Sequence, residues 1–203
     1  MSLTALIALG LAKEIPLLDD VLYIGADRGA LVLAEKGIAM DLAIGDFDSV
    51  SRQEMERIEA SSKKVVRLNP VKDDTDSEAA LNQALAIGCT RVYFCGALGK
   101  RIDHTLVNLA LCMKHPGTVS ILEPDQCIEA LGPGRYAIRK DGYRYLSVFT
   151  DDTAVVSLEN VQYPLKERTI TRADIYAVSN EIIGEEGIVT VHAGKILLIR
   201  CSG

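Results

Sequence analysis

The pattern of one short run predicts the end of a strand: Leu42-Ala43-Ile44-Gly45-Asp46-Phe47-Asp48-Ser49. Its apolar part stops at a glycine, and two carboxylates, Asp46 and Asp48, follow one residue apart. In extended backbone such a pair projects from one side at roughly 6–7 Å, and the charges repel by about 2–3 kcal/mol at an effective dielectric constant of about 20. A raised pKa, a basic partner or a divalent cation would offset that repulsion.

Short apolar runs alternate with helical patterns around this strand, which predicts an α/β fold with a mostly parallel, Rossmann-like sheet. Predicted strands cover residues 5–9, 21–25, 42–44, 65–68, 91–95 and 119–122. Predicted helices cover residues 11–18, 30–36, 52–60, 76–87 and 104–114. Two of these helices begin with capping-box sequences, Ser51-x-x-Glu54 and Thr75-x-x-Glu78.

The pattern changes after about residue 124, where short runs of alternating apolar and polar residues predict an antiparallel β-sandwich. Predicted strands here cover residues 135–139, 143–149, 154–158, 188–192 and 195–200. We therefore expect two domains, an α/β domain over residues 1–126 and a β-sandwich domain over residues 127–203.

Composition excludes several classes of partner. The 203-residue chain has a net charge of −6 and no basic run, so nucleic acid is an unfavourable partner. The apolar stretch at residues 5–12 is too short to span a bilayer, so no membrane association is expected. Five cysteines, odd in number and without C-x-x-C spacing, indicate reduced core residues in a cytoplasmic protein.

Carboxylates follow four of the predicted strands, at the edge where open α/β sheets bind ligands. They are Asp27, Asp46 with Asp48, Asp73 with Asp74 and Asp76, and Asp103. Asp76 or Asp103 taken singly could be only a helix cap, but capping does not explain the pairs. Oxygen ligands favour Mg²⁺ over zinc, and a cation would let a polyphosphate share this edge.

A glycine loop supports the polyphosphate site. The segment Gly96-Ala97-Leu98-Gly99-Lys100-Arg101 offers two glycines for close approach of backbone N–H groups and two cationic side chains. It is not a Walker A loop, which requires G-x-x-x-x-G-K-[ST]. The loop leads directly into Asp103.

Taken together, these segments resemble the successive motifs of bacterial thiamine pyrophosphokinases. The matching segments are Asp27-Arg28-Gly29-Ala30, Gly45-Asp46-Phe47-Asp48-Ser49, Lys72-Asp73-Asp74-Thr75-Asp76, Gly99-Lys100-Arg101-Ile102-Asp103-His104-Thr105-Leu106, Tyr163-Pro164-Leu165 and Ser179-Asn180-Glu181. The resemblance covers nearly the whole chain. It implies an ATP-binding α/β domain, a thiamine-binding and dimerising β-sandwich, a homodimer with sites at the subunit interface, and Mg²⁺-dependent transfer of the diphosphoryl group of ATP to the thiamine hydroxyl, releasing AMP.

The resemblance also implies residue roles. Metal ligands would be Asp46, Asp48, Asp73, Asp76 and Asp103, and the catalytic set would be Asp46, Asp48, Asp76, Asp103 and Arg101. Nucleotide contacts would come from Asp27, Arg28, Gly29, Gly96, Gly99, Lys100 and His104. Ser179 and Asn180 would help form the thiamine pocket, with Tyr163 or Tyr176 as candidate aromatic neighbours. Asp74 falls at a variable position and receives no role.

Two other functions are compatible with parts of the pattern. A phosphatase-type enzyme would use Asp46 as a nucleophile, because D-x-D nucleophiles also follow a strand. A nucleotide-sensing module without catalytic activity would bind ATP and use the β domain to hold a partner. The first explains the acidic pair, and neither explains the remaining motifs.

Overall fold

The computed structural model describes residues 3–69, 74–99 and 101–203. Backbone contacts divide the chain into two compact units, one ending at Leu109 and the other comprising Ala110–Gly203. The elements of the first unit are β1 (Leu3–Ala8), β2 (Val21–Ala26), α1 (Arg28–Glu35), β3 (Leu42–Gly45), α2 (Arg52–Ser61), β4 (Val65–Arg67), α3 (Asp76–Ile87) and β5 (Cys89–Cys95). The division falls within helix α4 (Ile102–Lys114).

The first unit is built on a parallel sheet in the order β5-β1-β2-β3-β4. The chain runs outward from β1 through β4 and then returns to place β5 on the other side of β1. Four successive residues of β1, Ala5 to Ala8, are fully buried, so both faces of the sheet are covered. The predicted α/β architecture with a mostly parallel, Rossmann-like sheet is confirmed.

The topology fixes where a ligand would bind. Strand order reverses between β1 and β5, and such a point leaves a crevice at the carboxyl ends of the strands. Residues 9–12 follow β1 at this crevice and residues 96–99 follow β5.

Local sequence explains why α2 and α3 begin where they do. The Ser51 hydroxyl accepts from the Glu54 N–H at 3.3 Å, and the Glu54 carboxylate accepts from the Ser51 N–H at 2.8 Å, so the predicted capping box is present. The Thr75 hydroxyl accepts from the Glu78 N–H at 3.2 Å, and α3 ends at Gly88 in the left-handed region. Both helices were predicted correctly to within one residue.

The helix predicted over residues 11–18 is wrong, because this segment has no helical turn. Its carbonyl groups instead accept hydrogen bonds from side chains of the sheet. The Cys95 thiol donates to the Glu14 carbonyl at 3.0 Å, and the Tyr23 hydroxyl donates to the Pro16 carbonyl at 3.3 Å. Proline also lacks the N–H that a helix interior requires. The apolar spacing of this segment reflects anchoring to the sheet.

The second unit contains two antiparallel arrangements of strands. Its elements after α4 are β6 (Val119–Leu122), β7 (Gln126–Leu131), β8 (Gly134–Arg139), β9 (Tyr145–Phe149), β10 (Thr153–Glu159), β11 (Leu165–Thr171), β12 (Asn180–Glu181), β13 (Glu186–Ala193) and β14 (Ile196–Cys201). The orders are β12-β9-β14-β7-β6 and β11-β10-β13-β8. Sequence reasoning missed β7, β11 and β12.

These two sheets share one hydrophobic core. Leu146 and Leu198 enter it from one sheet, and Val156 and Val191 enter it from the other, each at most 2% exposed. Interdigitation of the inner faces of two sheets defines a β-sandwich. The predicted C-terminal β-sandwich is confirmed.

Two further findings concern membrane-spanning helices and the cysteines. Across residues 3–69, 74–99 and 101–203, no helix combines the length and the apolar character needed to cross a bilayer. The five cysteines are free thiols, and four of them are buried.

Candidate nucleotide site

The acidic loop after β3 turns sharply at Phe47. Phe47 has a φ of 57°, and its ring is 5% exposed in the core of the first unit. The side chain of Asp46 accepts from the backbone N–H of Asp48 at 3.1 Å, which closes a tight turn. The extended geometry assumed for Asp46 and Asp48 is therefore wrong, because burial of the intervening ring bends the backbone. Asp46 is half-buried and Asp48 is exposed.

Asp27 ties this loop to the end of β2. Its N–H donates to the Ile44 carbonyl at 2.8 Å, and its Oδ2 accepts from the Ser49 hydroxyl at 3.4 Å. Arg28 Nη1 donates to the Ser49 carbonyl at 3.0 Å. Close packing at Gly45 leaves no room for a side chain, since an added Cβ would lie 2.9 Å from the Asp27 Cα. These contacts hold the ends of β2 and β3 together.

The electrostatic interactions of Asp27 show which carboxylates the fold brings close to it. Burial is the main cause that raises the pKa of Asp27 above its ordinary value, and the charges of Asp76, Asp46 and Asp48 raise it further. The Arg28 backbone N–H opposes this rise by hydrogen bonding to the carboxylate. The Oδ1 atom of Asp27 is buried without a hydrogen-bond partner. Four of the predicted site carboxylates, those of Asp27, Asp46, Asp48 and Asp76, are thus close enough to interact electrostatically.

Replacement of Asp27 by Asn is expected to raise the melting temperature slightly at neutral pH. A carboxyl whose pKa is raised by folding loses stabilisation as pH rises above its ordinary pKa of 3.8, whereas the amide stays neutral. Asn and Asp have side chains of nearly the same shape, so the unusual backbone at this position, with φ 47° and ψ −121°, is common to both proteins. Thermal unfolding measured from pH 3 to 8 should show the two proteins converging at the acidic end. A wild type that is more stable than the variant at pH 7 would contradict the expectation.

Arg101 and Asp103 form a bidentate pair at the start of α4. Arg101 Nη2 donates to Asp103 Oδ2 at 2.6 Å, and Arg101 Nε donates to Asp103 Oδ1 at 3.0 Å. The hydrogen bond from Arg101 is the main cause that lowers the pKa of Asp103 to about 2. Both side chains are more than 60% exposed, so the pair contributes little to stability. The pair keeps Asp103 ionised beside Arg101.

A cavity of about 280 Å³ occupies the crevice between the ends of β1 and β5. Its polar lining contains five of the predicted site residues, namely Asp27, Arg28, Asp76, Arg101 and His104. Leu9, Gly10, Ala26, Gly96 and Ala97 supply backbone and apolar walls. Gly96 has a φ of 76°, and an added Cβ would lie 2.2 Å from Ala12 N, so only glycine fits there.

The other predicted nucleotide contacts are placed differently. An added Cβ on Gly29 would lie 1.9 Å from the Ala8 carbonyl oxygen, so this residue lets α1 pack against the end of β1. The Gly99 N–H donates to the Thr105 hydroxyl at 3.3 Å. Asp73 and Lys100 lie outside the described residues.

The predicted thiamine-binding pair lies in the second unit. Asn180 is 5% exposed, and its side chain accepts from the Tyr163 N–H at 2.9 Å and donates to the Tyr163 carbonyl at 2.8 Å. Ser179 is exposed with a φ of 55°. Asn180 thus fixes the backbone of Tyr163, whose side chain is 61% exposed. The Tyr176 hydroxyl instead accepts from Arg168 Nε at 3.1 Å.

The donor chemistry of the acidic cluster fits a hard divalent cation. Asp46, Asp48 and Asp76 supply only carboxylate oxygens, and all three charges raise the pKa of Asp27, an effect that a nearby cation would oppose. Within the described ranges, no group of three or more His, Cys, Asp or Glu residues is arranged so that it could hold a metal ion on its own. Mg²⁺ does not need a complete protein cage, because it usually keeps several waters and binds phosphate oxygens.

Asn108 and Ser77 line the cavity but were not predicted from sequence. Asn108 is 4% exposed and Ser77 is 7% exposed. The available signal for Asn108 was a polar residue within the apolar run Leu106-Val107-Asn108-Leu109 of a helix that follows the glycine loop. Its spacing of four residues from His104 places the two on one helical face.

Comparison with known proteins identifies both parts of the chain. The family model "Thiamin pyrophosphokinase, catalytic domain" matches residues 17–121, and "Thiamin pyrophosphokinase, vitamin B1 binding domain" matches residues 135–198. The predicted domain boundary at residues 126 and 127 lies between these matches and stays a prediction.

Individual relatives agree with the family models. The thiamine pyrophosphokinase of Bacillus subtilis (strain 168) is 34% identical over 188 residues, covering 90% of this chain and 88% of that protein. A crystal structure of thiamine pyrophosphokinase from Bacillus subtilis superposes with a TM-score of 0.89 at 30% identity, covering 99% of both chains. A thiamin pyrophosphokinase family protein from Enterococcus faecalis gives a TM-score of 0.88 at 29% identity, covering 100% of both chains.

Proposed function

Because the chain belongs to the thiamin pyrophosphokinase family, we propose that it transfers the diphosphoryl group of ATP to the hydroxyl of thiamine in a Mg²⁺-dependent reaction. The products are thiamine diphosphate and AMP. Membership of the family indicates the thiamine diphosphokinase activity. The identity of ATP as the diphosphoryl donor, the metal and the residue roles are our proposal. The observation that supports the donor site best is the cavity at the strand-order reversal, lined by Asp27, Arg28, Asp76 and Arg101.

The cavity is lined by both charged and apolar residues. Arg101 lies at the start of α4, where its guanidinium and the positive end of the helix dipole favour phosphate oxygens. Arg28, Lys100 and His104 add donors to the same nucleotide in this proposal. The Gly96 backbone allows the ligand to approach the chain closely.

Asp46, Asp48, Asp73, Asp76 and Asp103 would hold Mg²⁺ in this proposal. When bound, the cation would neutralise negative charge that develops during transfer. The Asp103 carboxylate is already ionised before a ligand binds, because Arg101 stabilises its charge. The Asp46 side chain is positioned by the hydrogen bond that it accepts from the Asp48 N–H. In this proposal the acidic loop holds the cation that serves as counter-ion to the polyphosphate.

Transfer requires an in-line displacement at the β-phosphorus. The thiamine hydroxyl oxygen forms a bond to this phosphorus while the bond to the bridging oxygen of the α-phosphoryl group breaks, so that AMP leaves. A carboxylate of the acidic cluster accepts the hydroxyl proton. Arg101 stabilises the charge that accumulates on the phosphoryl oxygens. Catalysis of this kind depends mainly on positioning and electrostatics.

Thiamine is proposed to bind beside Ser179 and Tyr163 in the β-sandwich. Asn180 acts here as a positioning residue, since both of its hydrogen-bonding groups hold the Tyr163 backbone. Tyr163 is preferred to Tyr176 as the aromatic neighbour because the Tyr176 hydroxyl is engaged by Arg168. An exposed aromatic face suits the cationic thiazolium ring of thiamine.

A homodimer is supported by a cluster of exposed apolar side chains around Ser179 in sequence. It comprises Ile175, Tyr176, Val178 and Ile183, which are 38–79% exposed. Burial of this cluster against a second copy would place the thiamine site at the subunit interface. Light scattering should then give about twice the chain mass of 22.0 kDa.

The free thiols fit a reducing compartment, and we propose the cytoplasm.

Incubation of the full chain with ATP, Mg²⁺ and thiamine tests the proposal directly. We expect AMP and thiamine diphosphate in equal amounts, and we expect excess EDTA to abolish both. ADP with thiamine monophosphate would identify a different transfer. Inorganic phosphate with an acyl-phosphate on Asp46 would identify the phosphatase-type reaction, and ATP binding without any AMP would identify a sensing module.

A further inference from the structure

The buried amide of Asn108 has one hydrogen-bonding group in use and one without a partner. Its Nδ2 donates to the Ala97 carbonyl at 2.9 Å. Its Oδ1 is buried and has no hydrogen-bond partner in the structure, although the residue is only 4% exposed. An amide oxygen withdrawn from water without a partner is destabilising. A ligand donor that reaches this oxygen would remove that penalty.

The orientation of the amide follows from its neighbour. A carbonyl oxygen can only accept, so the side of Asn108 that faces the Ala97 carbonyl must be the NH₂ group. The reverse orientation would bring two acceptors together at 2.9 Å. Because Asn108 lines the cavity, we infer that Oδ1 is the atom it offers to an occupant.

The position of Asn108 within the cavity indicates which part of a ligand it meets. Arg101, His104 and Asn108 recur at helical spacing and all line the cavity. Seven residues separate Arg101 from Asn108, which corresponds to a rise of roughly 10 Å along the helix axis. If Arg101 binds phosphate at the helix start, Asn108 lies at the distance of the nucleoside.

Ligand chemistry leads to the same assignment. Phosphoryl oxygens at neutral pH are acceptors and cannot satisfy another acceptor. The nucleoside, in contrast, carries donors on the ribose hydroxyls and on the exocyclic amino group of adenine. The cavity walls include apolar Leu9, Ala26 and Ala97, which suit a ribose or a base better than a polyphosphate.

We propose that the side-chain carbonyl of Asn108 accepts a hydrogen bond from a hydroxyl or amino donor of the nucleoside, and so determines how the nucleotide is oriented in the cavity. This inference rests on the proposed function, because it takes ATP as the occupant. Asn108 is thereby a ligand-binding residue that the family motifs quoted above do not include.

Calorimetric titration without thiamine tests the proposal on the wild-type full chain. The ligands are the Mg²⁺ complexes of ATP, 2′-deoxy-ATP, 3′-deoxy-ATP and purine riboside triphosphate, which lacks the 6-amino group. Loss of the donor that meets Asn108 is expected to weaken binding about 10-fold. The analogue that loses affinity identifies the donor, and equal affinity for all four nucleotides overturns the proposal.

Variants then attribute this discrimination to Asn108. Asn108→Leu should bind ATP about 10-fold more weakly than wild type and should no longer distinguish ATP from the affected analogue. Inorganic tripolyphosphate, which has no nucleoside, should bind wild type and variant equally. Asn82→Leu makes the same chemical change at an exposed position of α3 and should leave all affinities unchanged.

Each remaining outcome has a distinct meaning. Discrimination that persists in a folded Asn108→Leu variant overturns the inference while leaving the proposed function intact. Absence of ATP binding by wild type overturns the proposed function and the inference with it. If Asn108→Leu shows no cooperative unfolding, Asn108→Ser provides a smaller polar substitute. The discrimination should be lost in this variant too, and its persistence overturns the inference.

Discussion

Asp48→Asn is expected to lower the turnover of thiamine diphosphate formation by about 10²-fold or more. The exposed Asp48 carboxylate is one of the charges that gather around Asp27, and it is a proposed metal ligand. Loss of one such electrostatic contact to a developing transition state has an effect of this size. Turnover is measured as AMP release with thiamine and ATP saturating.

The substitution is suited to separating chemistry from folding. Asp48 contributes its backbone N–H to the turn with Asp46, and asparagine retains that group. We therefore expect the melting temperature to stay close to that of wild type. Asp19→Asn is the matched control, because Asp19 is exposed, does not line the cavity and is not among the carboxylates that raise the pKa of Asp27. Turnover of Asp48→Asn near the wild-type value would remove Asp48 from the active site.

Gly29→Ala is expected to lower the free energy of unfolding by about 3 kcal/mol, the upper part of the range for overpacking. An added Cβ would lie 1.9 Å from the Ala8 carbonyl oxygen and 2.5 Å from its carbon, and neither backbone atom can rotate away. Helix α1 would have to separate from the end of β1. For a chain of this length, the melting temperature should fall by roughly 6–12 °C.

Thermal and denaturant unfolding measure this effect. Gly132→Ala is the control, since an added Cβ at Gly132 meets no atom within 4 Å and the residue does not have a positive φ. It should leave stability nearly unchanged. If Gly29→Ala unfolds like wild type but binds ATP weakly, the glycine serves ligand approach and the packing explanation is wrong.

Secondary structure was predictable where local chemistry and tertiary packing favour the same state. Helix α3 was predicted with its observed bounds, because Thr75 caps its start and Gly88 allows its left-handed end. Strand β6, Val119–Leu122, was likewise predicted with its observed bounds. Both segments are bounded by residues whose conformational preferences are strong.

Prediction failed where distant side chains determine the backbone. No local pattern indicates that the Cys95 thiol and the Tyr23 hydroxyl bind carbonyl groups of residues 14 and 16, and so replace a helix. Strand β12 has only two residues, Asn180 and Glu181, and its pairing with β9 could not be read from two residues. Strand β11 is mostly exposed and highly charged, so it lacks a clear apolar alternation.

The candidate site was predictable as a set of residue types at strand ends. The parallel topology brings Asp27, Asp46, Asp48 and Asp76 into electrostatic contact, as expected from their positions after successive strands. The bond between Arg101 and Asp103 was not predicted, although the two are close in sequence. Asn108 was not identified either. Its place in an apolar run was the only sequence signal, whereas its unpartnered oxygen and its place in the cavity lining depend on the folded structure.

The buried ring of Phe47 has a consequence for the entropy of ligand binding. Phe47 anchors the middle of the acidic loop in the hydrophobic core, and Asp46 and Asp48 flank this anchor. Their backbone is therefore ordered when the chain folds, before any ligand arrives. Fixing a residue costs about 1–2 kcal/mol of conformational entropy, so a preorganised loop of this kind spares binding a penalty that a flexible acidic loop would incur.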